Sequence, residues 1–284
     1  MFGFNLREYN IEYSDVATYV PWYAMVAPGI IKNEDESFMR VFRFRGQDLD
    51  SVTDYELMGI IARVNNYIKR YGNGWAFYIE SRRMRTYTST DRKFPDKTCQ
   101  LMEYERQNYF NQGNFFRTEY YLTMQWLPLS ARTSKAVKMF YTEEGEEEKD
   151  YRTKVKEDLE MFISETDKFF DGFGAEMYEC EPLSPLETLD YLHSCVSLKN
   201  YNLKMPVNPI AFADSLCDTP FYGGTDPILG DGDESQNLYI YSIRSYPESS
   251  YPGMLDDLNR LDIEYRWMTR FICYDKVDAQ GFFH

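Results

Sequence analysis

The feature that most constrains the fold is a change of hydrophobic period between residues 53 and 80. Thr53 followed by Glu56 is a capping-box signature of a helix start. Apolar residues then recur at helical spacing until Gly72 ends the pattern: Leu57, Ile60, Ile61, Val64, Ile68 and Tyr71. After a Gly-Asn-Gly turn, large apolar side chains occupy every second position from Trp75 to Ile79, the period of a strand. A helix followed directly by a strand predicts that helices and sheet share one fold.

The same patterns organise the first half of the chain. A polar helix is expected near residues 6–19, then two strands, PWYAMVAPGII and FMRVFRFRG, joined by a polar turn. With the helix and strand above, this reads β-β-α-β. A second helix near Lys97–Asn111 and a long strand from Phe115 to Leu127 complete the unit. Residues 1–130 are therefore predicted to form a β-β-α-β-α-β subdomain.

Residues 131–284 are predicted to form a helical and β-α-β subdomain. The acidic run at 143–150 is expected to be an exposed helix start, since carboxylates favour the positive end of the helix dipole, and a partner-binding tail is the alternative. Ser184, Pro185 and Glu187 mark another helix, Leu186–Leu198, before an irregular segment at 201–234. Three elements follow, which make the β-α-β unit: a strand at 238–242, a helix at 253–261 and a strand at 265–274. The predicted class is α+β with a mixed sheet, specifically two ferredoxin-like halves.

Composition excludes disorder and limits the choice of compartment. The chain has 284 residues, 43% of them hydrophobic and 17% aromatic, enough to bury a large core. Five cysteines without a C-x-x-C pair, and only two histidines, favour a reduced cytosolic compartment and no metal site. The first 15 residues lack the pattern of a signal peptide. The apolar run Tyr19–Ile31 is too short to span a bilayer and is interrupted by Pro21 and Pro28, although it can lie against a membrane subunit.

Charge is distributed unevenly. The net charge is −15, and residues 1–142 carry 19 basic against 16 acidic side chains, while residues 143–284 carry 12 against 30. The first half can therefore face a neutral or anionic surface, and the second half can face water or a basic partner. Helices with solvated acidic faces would give the same charge distribution. Single-stranded nucleic-acid binding by the arginine and phenylalanine residues of 38–45 is disfavoured by the net charge. Alternation also places Phe42 and Phe44 on one face of the strand, and Arg43 and Arg45 on the other.

Other catalytic or metal-binding patterns are weak. The acidic turn at 231–234 lacks the glycine and the bidentate glutamate of a calcium loop. His193 and Cys195 stand two apart on a predicted helix and so point to different faces. No catalytic, cofactor or metal residue is expected in this chain.

Several strings, in order along the chain, resemble one family. PWYAMVAPGII and FRFRGQDLDS resemble its opening elements, and YGNGWAFYIESRR its next strand. FYGGTDPILGDGDESQNLYIYSIRSYP then leads into PGMLDDLNRL and YRWMTRF. These strings are similar to the N-terminal domain of the TrbE/CagE/VirB-type conjugal transfer ATPases of type IV secretion systems. The phosphate-binding string G-x-x-x-x-G-K-[ST] of such ATPases does not occur in the sequence.

The resemblance implies a docking and assembly role. It implies that the chain is part of a longer parent protein, at the inner face of the bacterial inner membrane, whose C-terminal ATPase domain binds ATP and Mg²⁺. The implied partners are inner-membrane subunits, membrane-anchored scaffold subunits and sister protomers. Partner-contact candidates fall in two groups: Trp22, Val26 and Pro28 in the apolar run, and Arg43, Arg45, Arg266 and Arg270 on strands.

Structural explanations stand beside these contact roles. The apolar run, including Trp22, is equally suited to a buried strand. Arg266 and Arg270 can pair with Asp256 or Asp257, or face the motor domain, while Trp267 and Phe271 are expected to face the core. A free-standing α+β enzyme or scaffold of unknown substrate is the alternative function.

Overall fold

The computed structural model describes residues 16–47, 51–86, 93–112, 115–128, 146–199, 202–205, 211–224, 227–232, 235–243, 248–249, 251, 254–275 and 278. Contacts divide the chain into two compact units, each made of two segments. The first unit comprises residues 1–39 and 183–243, and the second comprises residues 40–182 and 244–284. The subdomain boundary predicted after residue 130 stays a prediction, because grouping by contact does not show which segments fold alone.

The second unit contains a ferredoxin-like arrangement with two additions. Its core order is β3 (Phe38–Arg45), α1 (Asp54–Ile68), β4 (Trp75–Arg85), β5 (Phe116–Trp126), α3 (Glu146–Glu176) and β6 (Glu179–Pro182). Helix α2 (Lys97–Asn111) is inserted between β4 and β5, and β10 (Tyr265–Ile272) is added beside β4. The strands lie in the order β6-β3-β5-β4-β10. β4 pairs antiparallel with β5 and with β10 without a break in register.

Aromatic side chains join one face of this sheet to α3. Phe162, Phe169 and Phe173 of the helix are buried. Phe162 stacks on Trp75, and Phe169 contacts Phe77, with ring centroids 5.8 and 5.3 Å apart. Packing of this kind follows from the spacings of seven and four residues between these phenylalanines, which place them on one side of the helix.

Helix α1 starts at the predicted capping box, in which Thr53 and Glu56 each accept a hydrogen bond from the other's backbone N–H. No residue of α1 is fully buried. Contacts with α3 hold the helix: Arg63 pairs with Glu176 at 2.6 Å, and Gly172 of α3 lies so close to the Tyr67 ring that a Cβ would stand 2.7 Å from it. Glycine at that position therefore permits the close approach of the two helices.

The first unit is built around a β-hairpin and two helices. β1 (Trp22–Ala27) pairs antiparallel with β2 (Ile30–Asn33) through a turn at Pro28 and Gly29. Gly29 has φ +71° and lies against the carbonyl of Leu183. The core cluster of this unit joins β2 and Met39 to α4 (Pro185–Ser197) and α5 (Phe212–Leu216). Three two-residue strands, β7 (Phe221–Tyr222), β8 (Ile228–Leu229) and β9 (Gln236–Asn237), form a small antiparallel sheet.

Most predicted elements are confirmed, including the α+β class, α1, β4, α2 and α4. Helix α3 begins at Glu146, inside the acidic run. The predicted helix at 6–19 lies outside the described residues except for a 3-10 turn at Val16–Tyr19. A ferredoxin-like order of elements occurs once, from β3 to β6 across residue 130, so it does not coincide with either predicted half, and the described residues of the first unit have a different order of elements.

Four local predictions were wrong. PWYAMVAPGII forms two strands, because Gly29 adopts a left-handed conformation that turns the chain. The segment at 201–234 includes α5 and short strands. Residues 238–242 belong to no strand, and the described part of 253–261 forms a 3-10 turn, Asp256–Arg260, in place of an α-helix.

Candidate docking surfaces

The face of the second unit's sheet that points away from α3 is lined by charged and polar side chains. Strand alternation defines it, because Phe42, Phe44 and Phe77 contact the helix side. Residues one position away therefore belong to the opposite face, and the register aligns those of β5, β4 and β10 with one another. They include Arg43 and Arg45 of β3, Glu80 and Arg82 of β4, Glu119 and Tyr121 of β5, and Arg266, Met268, Arg270 and Ile272 of β10.

A buried ion pair lies near the β10 edge of this face. Arg266 Nε donates to Glu80 Oε1 at 2.6 Å, and Glu80 is only 5% exposed. Arg82 is the register neighbour of Arg266 and is also buried. Burial and, secondarily, the charge of Arg266 lower the pKa of Arg82, although an arginine remains protonated in proteins. The negative charge of Glu80 therefore offsets the positive charges of Arg82 and Arg266, which the pairing of β4 with β10 places side by side.

The neighbouring carboxylate on β5 holds a tyrosine. Tyr121 donates its hydroxyl hydrogen to Glu119 at 2.9 Å. Burial, and then the charge of Glu119, raise the pKa of Tyr121 well above its usual value. The phenol thus stays neutral at physiological pH and keeps the hydrogen that it donates to the carboxylate.

The four predicted arginine contacts have different surroundings on this face. Arg43 forms an ion pair with Glu181 of β6, and Arg266 pairs with Glu80. Arg45 and Arg270 are exposed. The structure brings all four into the second unit on one sheet face, and their contact with another protein stays a prediction.

Arg266 pairs with a carboxylate that its sequence neighbours did not indicate, and a pairing with Asp256 stays a prediction. Its carboxylate is Glu80, which lies 186 positions earlier in sequence. Asp257 instead pairs with Arg260 at 3.1 Å, three residues away in the 3-10 turn. Phe271, expected in the core, is 44% exposed because it lies on β10, which has β4 as its only neighbouring strand in the described residues.

The β1–β2 hairpin holds the other three candidates. Trp22 is half-buried and packs against the first unit's core cluster. Val26 and Pro28 are exposed, and so is Tyr23, which is 54% exposed and was not predicted. Trp22 therefore anchors the strand in the core, as one of the two expectations had it, while contact of the exposed neighbours with another protein stays a prediction.

Two helices of the second unit also expose apolar side chains that sequence analysis did not single out. On α1 they follow one another at three-residue spacing, Tyr55, Met58 and Ile61. On α2 they are Leu101, Met102, Tyr104 and Tyr109, while the buried residue of this helix is Glu103, which binds Arg106. Such exposed apolar area is typical of surfaces that contact other molecules.

A buried histidine network lies in the first unit. His193 Nε2 is 2.9 Å from Asp218 Oδ1, and its Nδ1 is 3.1 Å from Ser197 Oγ. His193 and Ser197 are 2% and 1% exposed, so a substrate could reach neither, and Ser197 also donates within the helix to the His193 carbonyl. The network ties α4 to the chain after α5. Asp218, and not Cys195, is the partner of His193, and a pairing across 25 residues leaves no local signal in the sequence.

Neither a metal cluster nor a membrane span occurs in the described part of the chain. No group of three or more His, Cys, Asp or Glu side chains there could hold a metal ion. None of the helices is both long and apolar enough to cross a bilayer.

Comparison with known proteins relates the sequence of this chain to one family. Residues 29–134 match the family model described as Type IV secretion system ATPase VirB4/TrbE, N-terminal domain. The conjugal transfer protein TrbE of Rhizobium radiobacter is 25% identical over 294 aligned residues, which cover 97% of this chain and 35% of the relative.

Two further relatives agree with that match. A shorter protein of Sinorhizobium fredii, also named as a probable conjugal transfer protein TrbE, is 29% identical over 145 residues, covering 50% of this chain and 97% of the relative. The type IV secretion system protein virB4 of Brucella suis is 22% identical over 280 residues, covering 94% of this chain and 33% of the relative. The chain spans about a third of the length of the Rhizobium TrbE and Brucella virB4 proteins. The family-model match and these relatives, two of which align over most of the chain, together support its assignment to the N-terminal domain of the VirB4/TrbE family of type IV secretion ATPases.

Proposed function

We propose that this chain is a non-catalytic docking and assembly domain of a type IV secretion ATPase. It binds inner-membrane secretion subunits, membrane-anchored scaffold subunits and sister protomers, on the inner face of the bacterial inner membrane. ATP hydrolysis with Mg²⁺ belongs to another portion of the parent protein. Nucleic acid is not a direct ligand of this domain.

The observation that carries the proposal is the β1–β2 hairpin. Trp22 packs on the core cluster, while Tyr23, Val26 and Pro28 of the same short segment are exposed. An anchored strand holds its outer apolar side chains in place, so less conformational freedom is lost when a partner covers them. An apolar side of this kind suits a membrane-embedded subunit.

The charged groups support the same conclusion. The buried ionisable side chains of the polar sheet face are engaged with one another, as Arg266 is with Glu80 and Tyr121 with Glu119. Catalytic carboxylates and bases instead need a reachable atom and a pKa matched to proton transfer. The proposal therefore assigns binding, and no chemistry, to this chain.

The test uses two exposed hairpin positions. The full chain is co-expressed with the inner-membrane subunits of its own secretion system and captured from detergent-solubilised membranes. Tyr23→Asp combined with Val26→Asp is expected to reduce capture at least about tenfold, since a buried carboxylate without a partner opposes association. Met161→Asp, at a half-exposed site on α3, is the matched control and should leave capture unchanged.

Thermal unfolding separates contact from folding. The double variant should keep a melting temperature close to that of the unmodified chain, because both side chains already face solvent. Trp22→Asp, in contrast, should lower the melting temperature through the core cluster. Undiminished capture by the double variant would refute the hairpin as the docking surface.

A further inference from the structure

We infer that Arg83, Arg85 and Phe116 form a receptor for an acidic side chain of a partner protein, at the end of β4 and the start of β5. The ligand is an aspartate or glutamate carboxylate on a peptide segment of that partner. Such a receptor rests on the proposed docking function and gives the chemistry of one contact.

The three side chains share the helix side of the second unit's sheet. Phe77 contacts α3, and alternation along β4 places Arg83 and Arg85 on the same side of the strand as Phe77. The register sets Phe116 of β5 directly opposite Arg85. Directly opposite residues point the same way, so the two arginines and the ring belong to one surface.

Helix α3 runs along β5 towards the start of that strand but ends before reaching it. Phe173 of the helix contacts Phe44, and the Phe44 ring contacts Tyr120 of β5. Three residues after Phe173 the helix ends at Glu176, about 4.5 Å further along its axis. Phe116 lies four positions before Tyr120 on the strand, about 13 Å away. The helix therefore does not cover this end of the sheet.

The Phe116 ring holds the two guanidinium groups. The guanidinium carbon of Arg83 lies 4.4 Å from the ring centroid, and that of Arg85 lies 6.0 Å from it. Contact with the ring limits the freedom of the side chains, so less freedom is lost when an anion binds. Arg85 is exposed and Arg83 is partly exposed, so a ligand can reach both. The Nε atom of Arg83 is fully buried and has no hydrogen-bond partner among the described residues.

The positive charges of this surface are not neutralised within the part of the chain that the structure describes, where neither guanidinium pairs with a carboxylate. Arg117, on the opposite face of β5, does pair with Glu119. Glu264 lies near Arg85, but its carboxylate accepts the backbone N–H of Arg85 at 2.7 Å. An anion bound between Arg83 and Arg85 would therefore offset two positive charges on one face of the strand.

The chemistry of this surface favours a single carboxylate. Arginine offers donors and no acceptor, and its planar group binds carboxylate or phosphate oxygens in pairs. A polyanion such as nucleic acid or an anionic bilayer needs many cationic contacts, whereas this surface offers two and the chain has a net charge of −15. A protein carboxylate agrees with the proposed docking to protein subunits. Free phosphate shares the required chemistry and is the competing ligand in the test.

Nuclear magnetic resonance of the full chain measures binding through the Nε–H signals of Arg83 and Arg85. The probe is acetyl-Gly-Glu-Gly-amide, and acetyl-Gly-Gln-Gly-amide is the neutral control. The glutamate peptide should shift both signals with a dissociation constant of about 1–10 mM, as expected for a few charge-assisted hydrogen bonds. The glutamine peptide should leave both signals in place. No shift at about 20 mM glutamate peptide would overturn the receptor.

Paired substitutions separate this surface from positive charge in general, with the backbone amide signal of Phe116 as the readout. Arg83→Gln with Arg85→Gln should raise the dissociation constant of the glutamate peptide at least about tenfold, because the charge-assisted contacts are lost. The matched control, Arg45→Gln with Arg270→Gln, removes the same charge from exposed arginines of the opposite face and should change that constant less than about twofold. Equal weakening by the two double variants would overturn the receptor.

A single substitution guards against loss of folding. Arg85 is exposed, so Arg85→Gln should keep the melting temperature of the unmodified chain. It should still raise the dissociation constant of the glutamate peptide about threefold, which is half of the double variant's effect in free energy. An unchanged constant in this variant would contradict a shared role of the two arginines.

Inorganic phosphate distinguishes the two anions. The methylene groups of glutamate can pack on the Phe116 ring, whereas phosphate has no apolar part, so the peptide should bind at least as tightly at equal ionic strength. Tighter binding of phosphate than of the glutamate peptide would make this a phosphate site and would overturn the carboxylate assignment.

The receptor and the proposed docking function fail in different experiments. A chain that gives no peptide shift, but loses membrane-subunit capture through the hairpin variants, refutes the carboxylate receptor alone. A chain that binds the glutamate peptide, but whose hairpin variants capture the subunits undiminished, refutes docking through the hairpin and keeps the receptor.

Discussion

Removing the charge of Glu80 should destabilise the second unit more than any other single charge removal at its sheet face. Glu80→Gln keeps the shape of the side chain but removes the carboxylate to which Arg266 donates, beside the buried Arg82. Breaking a buried ion pair costs about 3–5 kcal/mol. The side chain of Arg266 is 21% exposed, so we expect a cost at the lower end of this range, about 3 kcal/mol.

Thermal unfolding followed by circular dichroism measures this cost. A loss of about 3 kcal/mol corresponds to a melting temperature lower by about 6–12 °C for a domain of this size. The control is Glu181→Gln, which breaks the pair with Arg43 where both side chains are more than a third exposed. Water screens such a pair, so about 0–1 kcal/mol is expected.

A double substitution identifies the cause. Glu80→Gln with Arg266→Met removes both members of the pair, so the melting temperature should recover in part. Recovery is incomplete because the attraction between Glu80 and the buried Arg82 is still lost. If Glu80→Gln and Glu181→Gln shift the melting temperature equally, the compensation of charge described for this face is refuted.

Three further outcomes follow from packing and burial. Gly29→Ala should lower the free energy of unfolding, measured in urea, by at least about 2 kcal/mol, because φ is +71° and a Cβ would stand 2.6 Å from a backbone oxygen. The control is Gly46→Ala, which should not destabilise the chain because a Cβ there would have no atom within 4 Å. Phe162→Ala should cost about 3–5 kcal/mol and its exposed neighbour Met161→Ala under about 0.5 kcal/mol, by the same assay. Burial raises the pKa of Cys180 from 9.0 to about 11, so iodoacetamide should alkylate it at pH 8 about 100-fold more slowly than in the unfolded chain. The stability from this neutral thiol is present below pH 9 and lost as pH rises towards 11, and Cys180→Ala should abolish that part of the pH dependence.

Local signals made much of the fold predictable. The Thr53–Glu56 and Ser184–Glu187 capping boxes fixed two helix starts, and the alternation after Gly72 fixed β4, because each depends on residues a few positions apart. Contacts between distant segments were not predictable in this way. Glu80 and Arg266 lie on strands whose adjacency is decided by the whole sheet.

Two other predictions, the strand at 238–242 and the exposed side of the β1–β2 hairpin, were limited for a similar reason. The residues of 238–242 have the composition of a strand, and composition alone does not supply a neighbouring strand to pair with. The exposed side of the hairpin was predicted only in outline. Trp22 and Val26 were both candidates, but which of the two reaches the core depends on the irregular register between β1 and β2.

The position of α2 has a consequence for how such a domain can diversify. β4 and β5 are matched residue by residue from Trp75 and Trp126 to Arg85 and Phe116, so eleven consecutive pairs determine the hairpin before the inserted segment begins. The insertion can therefore change in length and in surface character without disturbing the sheet. The segment between β4 and β5 can therefore vary while the sheet stays the same. We expect substitutions that alter partner choice to be tolerated in this segment more readily than on β10 or the β1–β2 hairpin.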